Sequence, residues 1–301
     1  MRITNKMMTG NYQRNINANL KKMSEVQQQV ASGKTISRPS QNPFLATRIM
    51  DYEAEIARKE QFERNIEDIN GALTVTDTAL GQIGDQLTRI KELTLQATNG
   101  TNTEEERQII KTEVDQIINA MVDTLNTSYE DKYIFSGYQT DTKPFEMIHH
   151  GTNNREVVYH GDGHLAQVEI SKGVTITRNI TGNEVLGNVN GRNLFESMIA
   201  ISDALESNDV DALNDLIADI DGHQENSLQL RGKVGAQQNR LEMALERSKD
   251  EVLNLKTVLS ESEDIDYAAA MIDYSVLMTS YQASLQISSK VIQPTILDFL
   301  R

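Results

Sequence analysis

Apolar and small side chains recur at Ile66, Ile69, Leu73, Thr76, Leu80, Ile83, Leu87, Ile90, Thr94 and Ala97. The steps of three and four residues put all of them on one stripe of a helix. Counted from Phe62, the stripe lasts five heptads, the signature of a helix that packs lengthwise on a partner. Asn99-Gly100 ends the pattern. Thr103 with Glu106 is a capping box, and the acidic run from Glu104 suits the positive end of a helix dipole. A second helix is therefore predicted, with Ile110, Val114, Ile117, Met121 and Leu125 inward. Asp209 is placed to cap a third, with Leu213, Ile217, Ile220, Val234, Leu241, Leu245, Val252, Leu255 and Leu259 on a heptad grid. Gln224, Ser227, Arg231, Gln238 and Ser248 fall on the same grid, and polar seam residues of this kind fix register.

The two chain ends carry shorter stripes. Ile16, Leu20, Met23 and Val30 lie at helical spacing, and Gly33 follows as the residue just past the helix end. Residues 34–42 form a loop holding Pro39; Asn42 is placed to cap the next helix, with Pro43 at its first position. At the other end, Tyr267, Met271, Tyr274, Met278, Tyr281 and Leu285 are four and three apart, and the stripe continues through Ile292 to Phe299 and Leu300. Neither end can bury its stripe alone. The two are expected to pair with each other or with neighbouring molecules, and to be largely disordered in the free monomer.

Between the helical parts the texture changes. Eight of the 17 glycines fall between residues 137 and 191. Val157–Tyr159, Val168–Ile170 and Val174–Ile180 favour strands, with turns at Gly161-Asp162-Gly163 and Lys172-Gly173. The expected fold class is mainly α: a long antiparallel coiled coil or helical bundle formed by the N- and C-terminal parts, with a small inserted β domain. Its segments read as an assembly helix and loop (1–42) paired with 262–301, and a helical rod whose sides are 43–132 and 191–261. The β domain is 133–190, and its core from 137 should be separable.

Composition narrows the function classes. A net charge of −15 disfavours nucleic acid and anionic membranes as partners. There is no cysteine, hence no disulfide and no thiolate metal site. No window is long and apolar enough to span a membrane. The opening MRITNKMMTGNYQRN lacks the apolar core of a cleavable signal peptide, so export would use another route. Gly33-Lys34-Thr35 ends like a phosphate-binding loop, but the glycine needed five positions earlier is Gln28, and a helix precedes it. Of the histidines (149, 150, 160, 164 and 223), His160 and His164 flank a turn, and all five are expected at solvent-exposed turns. No hydrolase elbow and no catalytic cysteine is present. No enzyme, cofactor or metal site is expected.

The stretch ASGKTISRPSQNP (31–43) resembles the amino terminus of the flagellin superfamily, in the form used by its hook–filament junction branch, the hook-associated protein 3 family. Flagellins proper usually carry a proline-free version. YIFSGYQTDTKPF (133–145), the run 157–187 and SYQASLQISSKVIQPTILDFL (280–300) are similar to the same branch. One departure is Gln41-Asn42, where that family commonly has two aspartates. The resemblance implies a structural protein of the bacterial flagellum, exported by the flagellar type III system with a cytoplasmic chaperone at its carboxyl end. It would join the hook to the filament as a ring of copies, touching itself, flagellin and the other hook–filament junction protein. The assembly residues would be Ile16, Leu20, Met23 and Val30 with Tyr267, Met271, Tyr274, Met278, Tyr281, Leu285 and Ile292, and the hinge and cap residues Gly33, Pro39, Asn42 and Pro43. Competing readings are a minor flagellin and a cytosolic coiled-coil adaptor.

Overall fold

The computed structural model describes residues 5–99, 103–149 and 155–292. In chain order its helices are α1 (Asn5–Ser32), α2 (Pro43–Ala97), α3 (Glu104–Leu125), α4 (Gly182–Leu186), α5 (Leu194–Glu206), α6 (Val210–Glu263) and α7 (Tyr267–Ile292). Between α3 and α4 lie β1 (Ser128–Tyr129), β2 (Lys132–Tyr133), β3 (Phe145–His149), β4 (Arg155–Tyr159), β5 (Gln167–Ser171) and β6 (Val174–Thr177). The chain divides into two units. One joins the described residues up to Arg58 with those from Asp250 onward; the other is Lys59–Lys249.

The second unit is built on the stripes seen in the sequence. All ten seam positions of α2, from Ile66 to Ala97, are at most 2% exposed. Thr76 and Thr94 enter this apolar seam at no hydrogen-bonding cost, because their hydroxyls donate to the carbonyls of Ala72 and Ile90 at 2.8 Å. α3 starts at the Thr103–Glu106 capping box and buries Ile110, Val114, Ile118, Met121 and Leu125. Ile117, expected inward, is half-buried beside Ile118. Arg107 is buried and donates to the carbonyl of Ala97 at 3.0 Å, satisfying the end of α2 where the free carbonyls gather.

α6 runs antiparallel to α2, as the order of their polar links shows. Lys91 pairs with Asp221, Gln224 bonds Thr88 (3.0 Å), the Ser227 hydroxyl donates to the carbonyl of Leu80 (3.2 Å), and Arg231 meets Asp77 (3.0 Å). Gln238 closes the series on Thr74 at 3.1 Å. Four of the five polar grid residues thus contact specific partners on α2, which makes a slip of one heptad costly, while the buried Ser248 hydroxyl has none among the described residues. Asp209 caps α6 through the N–H of Ala212 at 3.0 Å. The grid departs in detail: Leu216 is buried where Ile217 is half-buried, and Arg231 is exposed on the flank.

The strands form three separate two-stranded antiparallel hairpins, β1–β2, β3–β4 and β5–β6. They do not enclose a core of their own. Phe135, Phe145, Ile170, Ile176 and Ile180 belong to one buried cluster with α2, α3, α5 and α6. Phe145 lies 5.0 Å from Tyr159 and 6.1 Å from Phe195 of α5, ring to ring. This shared cluster speaks against a separable β segment from 137, since cutting it out would strip aromatic side chains from the helical core. Run 178–180, read as strand from its sequence, is irregular and delivers Ile180 into that core.

A polar cluster ties α3, β4 and α5. The Asp115 carboxylate accepts from the Ser202 hydroxyl (2.6 Å), Arg155 (2.7 Å) and Lys111 (3.2 Å). Burial pushes its pKa up, yet the bonds from Ser202 and Arg155 outweigh this and hold the carboxyl below its usual range. His223 also corrects a sequence expectation: it sits buried on α6, with its Nε2 3.1 Å from the Ser197 hydroxyl, and not in an exposed turn. Burial lowers its pKa. A pH prediction follows from the sign. The unfolded chain takes up a proton at His223 near the ordinary value of about 6.5 while the folded chain resists it. This contribution to stability is therefore complete above that value and is lost as the pH falls through it. The unfolding free energy should decline from pH 7 to 5, and His223→Gln should flatten the decline, as read from urea titrations at each pH.

Candidate assembly surface

In the first unit the chain ends are held together by a short clasp. α1 stops at Gly33, whose φ of +73° is cheap only for glycine. The Thr35 N–H donates to the carbonyl of Glu263 at 2.6 Å, and the Ile265 N–H to the carbonyl of Gly33 at 3.0 Å. The Thr35 hydroxyl donates to the carbonyl of Asp264 (3.2 Å), and the Lys34 ammonium is paired with Glu263. That bond raises the Lys34 pKa. The lysine and threonine that resemble a phosphate loop are thus engaged with the turn between α6 and α7.

The rest of the loop is equally specific. Arg38, Pro39, Ser40 and Gln41 make a turn closed by the Gln41 N–H on the Arg38 carbonyl at 3.0 Å, with proline in the second position that favours it. The Gln41 side-chain oxygen accepts from the N–H groups of Ser37 (2.7 Å) and Arg38 (3.1 Å). Asn42 caps α2 through the Leu45 N–H at 3.2 Å, and Pro43 is its first residue. The Gln41-Asn42 departure noted above therefore preserves both acceptor roles without charge.

Gly33 is constrained twice, since a Cβ there would come 2.7 Å from the Tyr267 hydroxyl. Gly33→Ala is expected to cost about 1–2 kcal/mol in the clasp, mostly from the left-handed backbone, because the tyrosine tip can move aside. Amide exchange at Thr35 and Ile265 should rise while exchange in α2 from Ile66 to Ala97 stays unchanged.

α1 and α7 pack antiparallel, with Val26 and Gln29 beside Asp273, Val276 and Leu277. The terminal segments, expected to be disordered alone, are thus paired helices over the described residues, since each offers the other a stripe. The pairing is incomplete. Tyr12, Ile16, Asn19, Met23, Val26 and Val30 of α1, and Ala270, Tyr274, Leu277, Tyr281 and Ser284 of α7, are half-buried. No described residue of either helix is fully buried.

The structure also redistributes the expected stripe. Leu20 is 37% exposed, and Val26, absent from the expected seam, turns inward. Of the expected stripe on α7, Tyr274 and Tyr281 alone face inward. Tyr267, Met271, Met278 and Leu285 are 45–56% exposed, along with Ile272, Val276 and Ile287. With them Ala270, Leu277 and Ser284 turn inward in place of Met271, Met278 and Leu285, each one residue earlier, which rotates the contact stripe by roughly 60° on the helix. A narrow seam of small residues and tyrosines meets α1, and the bulky methionines and leucine form an adjoining uncovered face. Ile292 ends α7, and its side chain lies outside the described residues, as do Phe299 and Leu300.

An uncovered apolar face beside paired chain ends marks a surface for contact with another protein. Comparison with known proteins agrees. The models of the bacterial flagellin N-terminal and C-terminal helical regions match residues 3–140 and 217–300, about three quarters of the chain between them. Flagellar hook-associated protein 3 of Escherichia coli K12 is 24% identical over 300 residues, spanning 94% of this chain and 95% of its own. A flagellin of Halalkalibacterium halodurans is 22% identical over 284 residues, covering 94% and 93%. The crystal structure of flagellar hook associated protein-3 from Legionella pneumophila superposes with a TM-score of 0.64 at 17% identity, over 71% of this chain and 98% of that one. The chain belongs to the flagellin superfamily, whose members are structural proteins of the flagellum.

Proposed function

We propose that this chain is a structural subunit that joins the flagellar hook to the flagellin filament as part of a junction ring. The observation that carries the reading is the half-finished burial of α1 and α7 beside an uncovered face of Tyr267, Met271, Met278 and Leu285. A monomer with an exposed apolar face of this kind gains stability by placing it against further copies. Head-to-tail repetition of one contact builds a helical or ring array. The relatives named for the hook-associated role match over nearly the full length of both chains, which favours the junction over the adaptor.

In this reading the partners are other copies, flagellin on one side and the other hook–filament junction protein on the other. A cytoplasmic export chaperone would cover the α7 face until the chain leaves through the flagellar type III channel without a cleaved signal peptide. The subunit works by geometry alone and has no catalytic task or cofactor. Immunogold labelling of sheared flagella tests it: one cluster of gold at the hook–filament boundary is expected, and the purified protein should form no long filaments in high salt. Label along the whole filament would transfer the chain to the minor flagellins, and a purely cytoplasmic pool would revive the adaptor.

A further inference from the structure

The hairpin β1–β2 leans on α2 and leaves a cleft of about 230 Å³ that the assembly role does not use. Its floor is Ala72, Thr76 and Ile134, and its walls include Tyr129, Tyr133 and Tyr138. The tyrosine wall is built into the helix. A Cβ at Gly71 would come 2.3 Å from the Tyr129 hydroxyl, so α2 accepts a mid-helix glycine, at roughly 1 kcal/mol against alanine, to admit that ring. The hydroxyls of Tyr129 and Tyr133 have no partner among the described residues, and neither has the Lys132 ammonium at the mouth.

The charge of the cleft is unusual for this chain. Acidic residues outnumber basic ones by 44 to 29 overall, yet the twelve lining residues include Lys132 and Arg178 and no carboxylate. Glu130 and Asp131 stand exposed at the tip of the hairpin, and two other neighbouring carboxylates are committed elsewhere. Asp68 pairs with Arg178 at 3.3 Å, and Asp162 accepts from the N–H groups of Tyr138 (2.8 Å) and His164 (3.2 Å). We propose that this cleft binds a small aromatic carboxylate, its ring among the tyrosines above Ala72 and Thr76 and its carboxylate on Lys132 and a tyrosine hydroxyl. A volume below the usual range for drug-sized ligands, about 300–1,000 Å³, suits one ring with one acidic group. Tyrosine faces and edges hold such a ring in stacked or tilted contact, and the ammonium and phenol supply charge-assisted hydrogen bonds.

The test uses the full chain with methyl groups labelled for NMR, titrated with benzoate and, as the neutral counterpart, benzyl alcohol. Saturable shifts at the methyls of Ala72, Thr76 and Ile134 are expected with benzoate. Removing the charge, by the alcohol or by Lys132→Glu, should weaken binding roughly tenfold or more. Lys132 is exposed, so the variant should fold as the parent does, and an unchanged melting curve verifies this. Absence of saturable shifts at those methyls overturns the proposal, and so does equal binding of the alcohol or of benzoate to Lys132→Glu. A cleft that binds nothing would leave the flagellar reading untouched, because the two rest on different parts of the chain.

Discussion

Leu80→Asp is expected to abolish the cooperative unfolding transition of the helical core. Leu80 is fully buried in the α2 seam, directly where the Ser227 hydroxyl of α6 donates to its backbone carbonyl. The aspartate would lose the apolar burial of leucine, about 1.5–3 kcal/mol, and place a carboxylate among Ile83, Leu73 and their partners. An uncompensated buried charge adds several kcal/mol more, or forces the group to stay protonated. The cation closest along the seam, Arg231, is already taken by Asp77. Against a total stability of about 5–15 kcal/mol, the sum is disabling. The matched control is Leu228→Asp, one residue past Ser227 but 65% exposed, which should melt as the parent does. Circular dichroism against temperature reads both. A parent-like transition in Leu80→Asp would show that the seam is not the core.

That seam was legible in the sequence because its three-and-four spacing persists over many turns with no proline inside it, which outweighs the strand preference of its β-branched residues. The caps at Thr103, Asn42 and Asp209 were legible for a similar reason, since each satisfies a local need that its neighbours advertise. Legibility failed where burial depends on distant chain. Phe135 and Phe145 stand in short segments with no helical period, so nothing local says that they plug a helical core. The β1–β2 hairpin turns on Glu130 and Asp131 with φ of 50° and 60°, without the asparagine–glycine pair that normally betrays such a turn. His223 looked like any polar residue on a wet helix, and its burial becomes intelligible only with Ser197 of α5 brought against it.

The α7 stripe shows a subtler limit, and it leads to the second large effect. Periodicity located the apolar residues but could not say which neighbours they serve, because self-pairing and assembly write the same pattern. The structure separates the two: Tyr274 and Tyr281 serve α1, while Met278 and Leu285 are each 45% exposed beside them. Met278→Lys with Leu285→Lys should therefore spare the monomer. Lysine matches methionine and leucine closely in helix propensity, and neither side chain supports the seam with α1. Thermal melting should agree with the parent within about 0.5 kcal/mol, the usual range for surface substitutions. Assembly should fail. Covering the exposed part of each apolar side chain in a subunit contact is worth about 1 kcal/mol, and the variant replaces both with ammonium groups that must be desolvated. Two defects repeated at each contact of an array remove more free energy than a subunit interface can spare. Cells carrying the variant should show hooks without filaments by electron microscopy and should not swim, and the amount of variant in the medium separates failed assembly from loss of the chaperone's hold on the same face. Tyr274→Ala is the informative contrast, since it should loosen the α1–α7 pair in the monomer itself, raising amide exchange in both helices. Normal filaments on the double-lysine variant would mean that the exposed face of α7 touches no other subunit, and the assembly surface would have to be sought elsewhere.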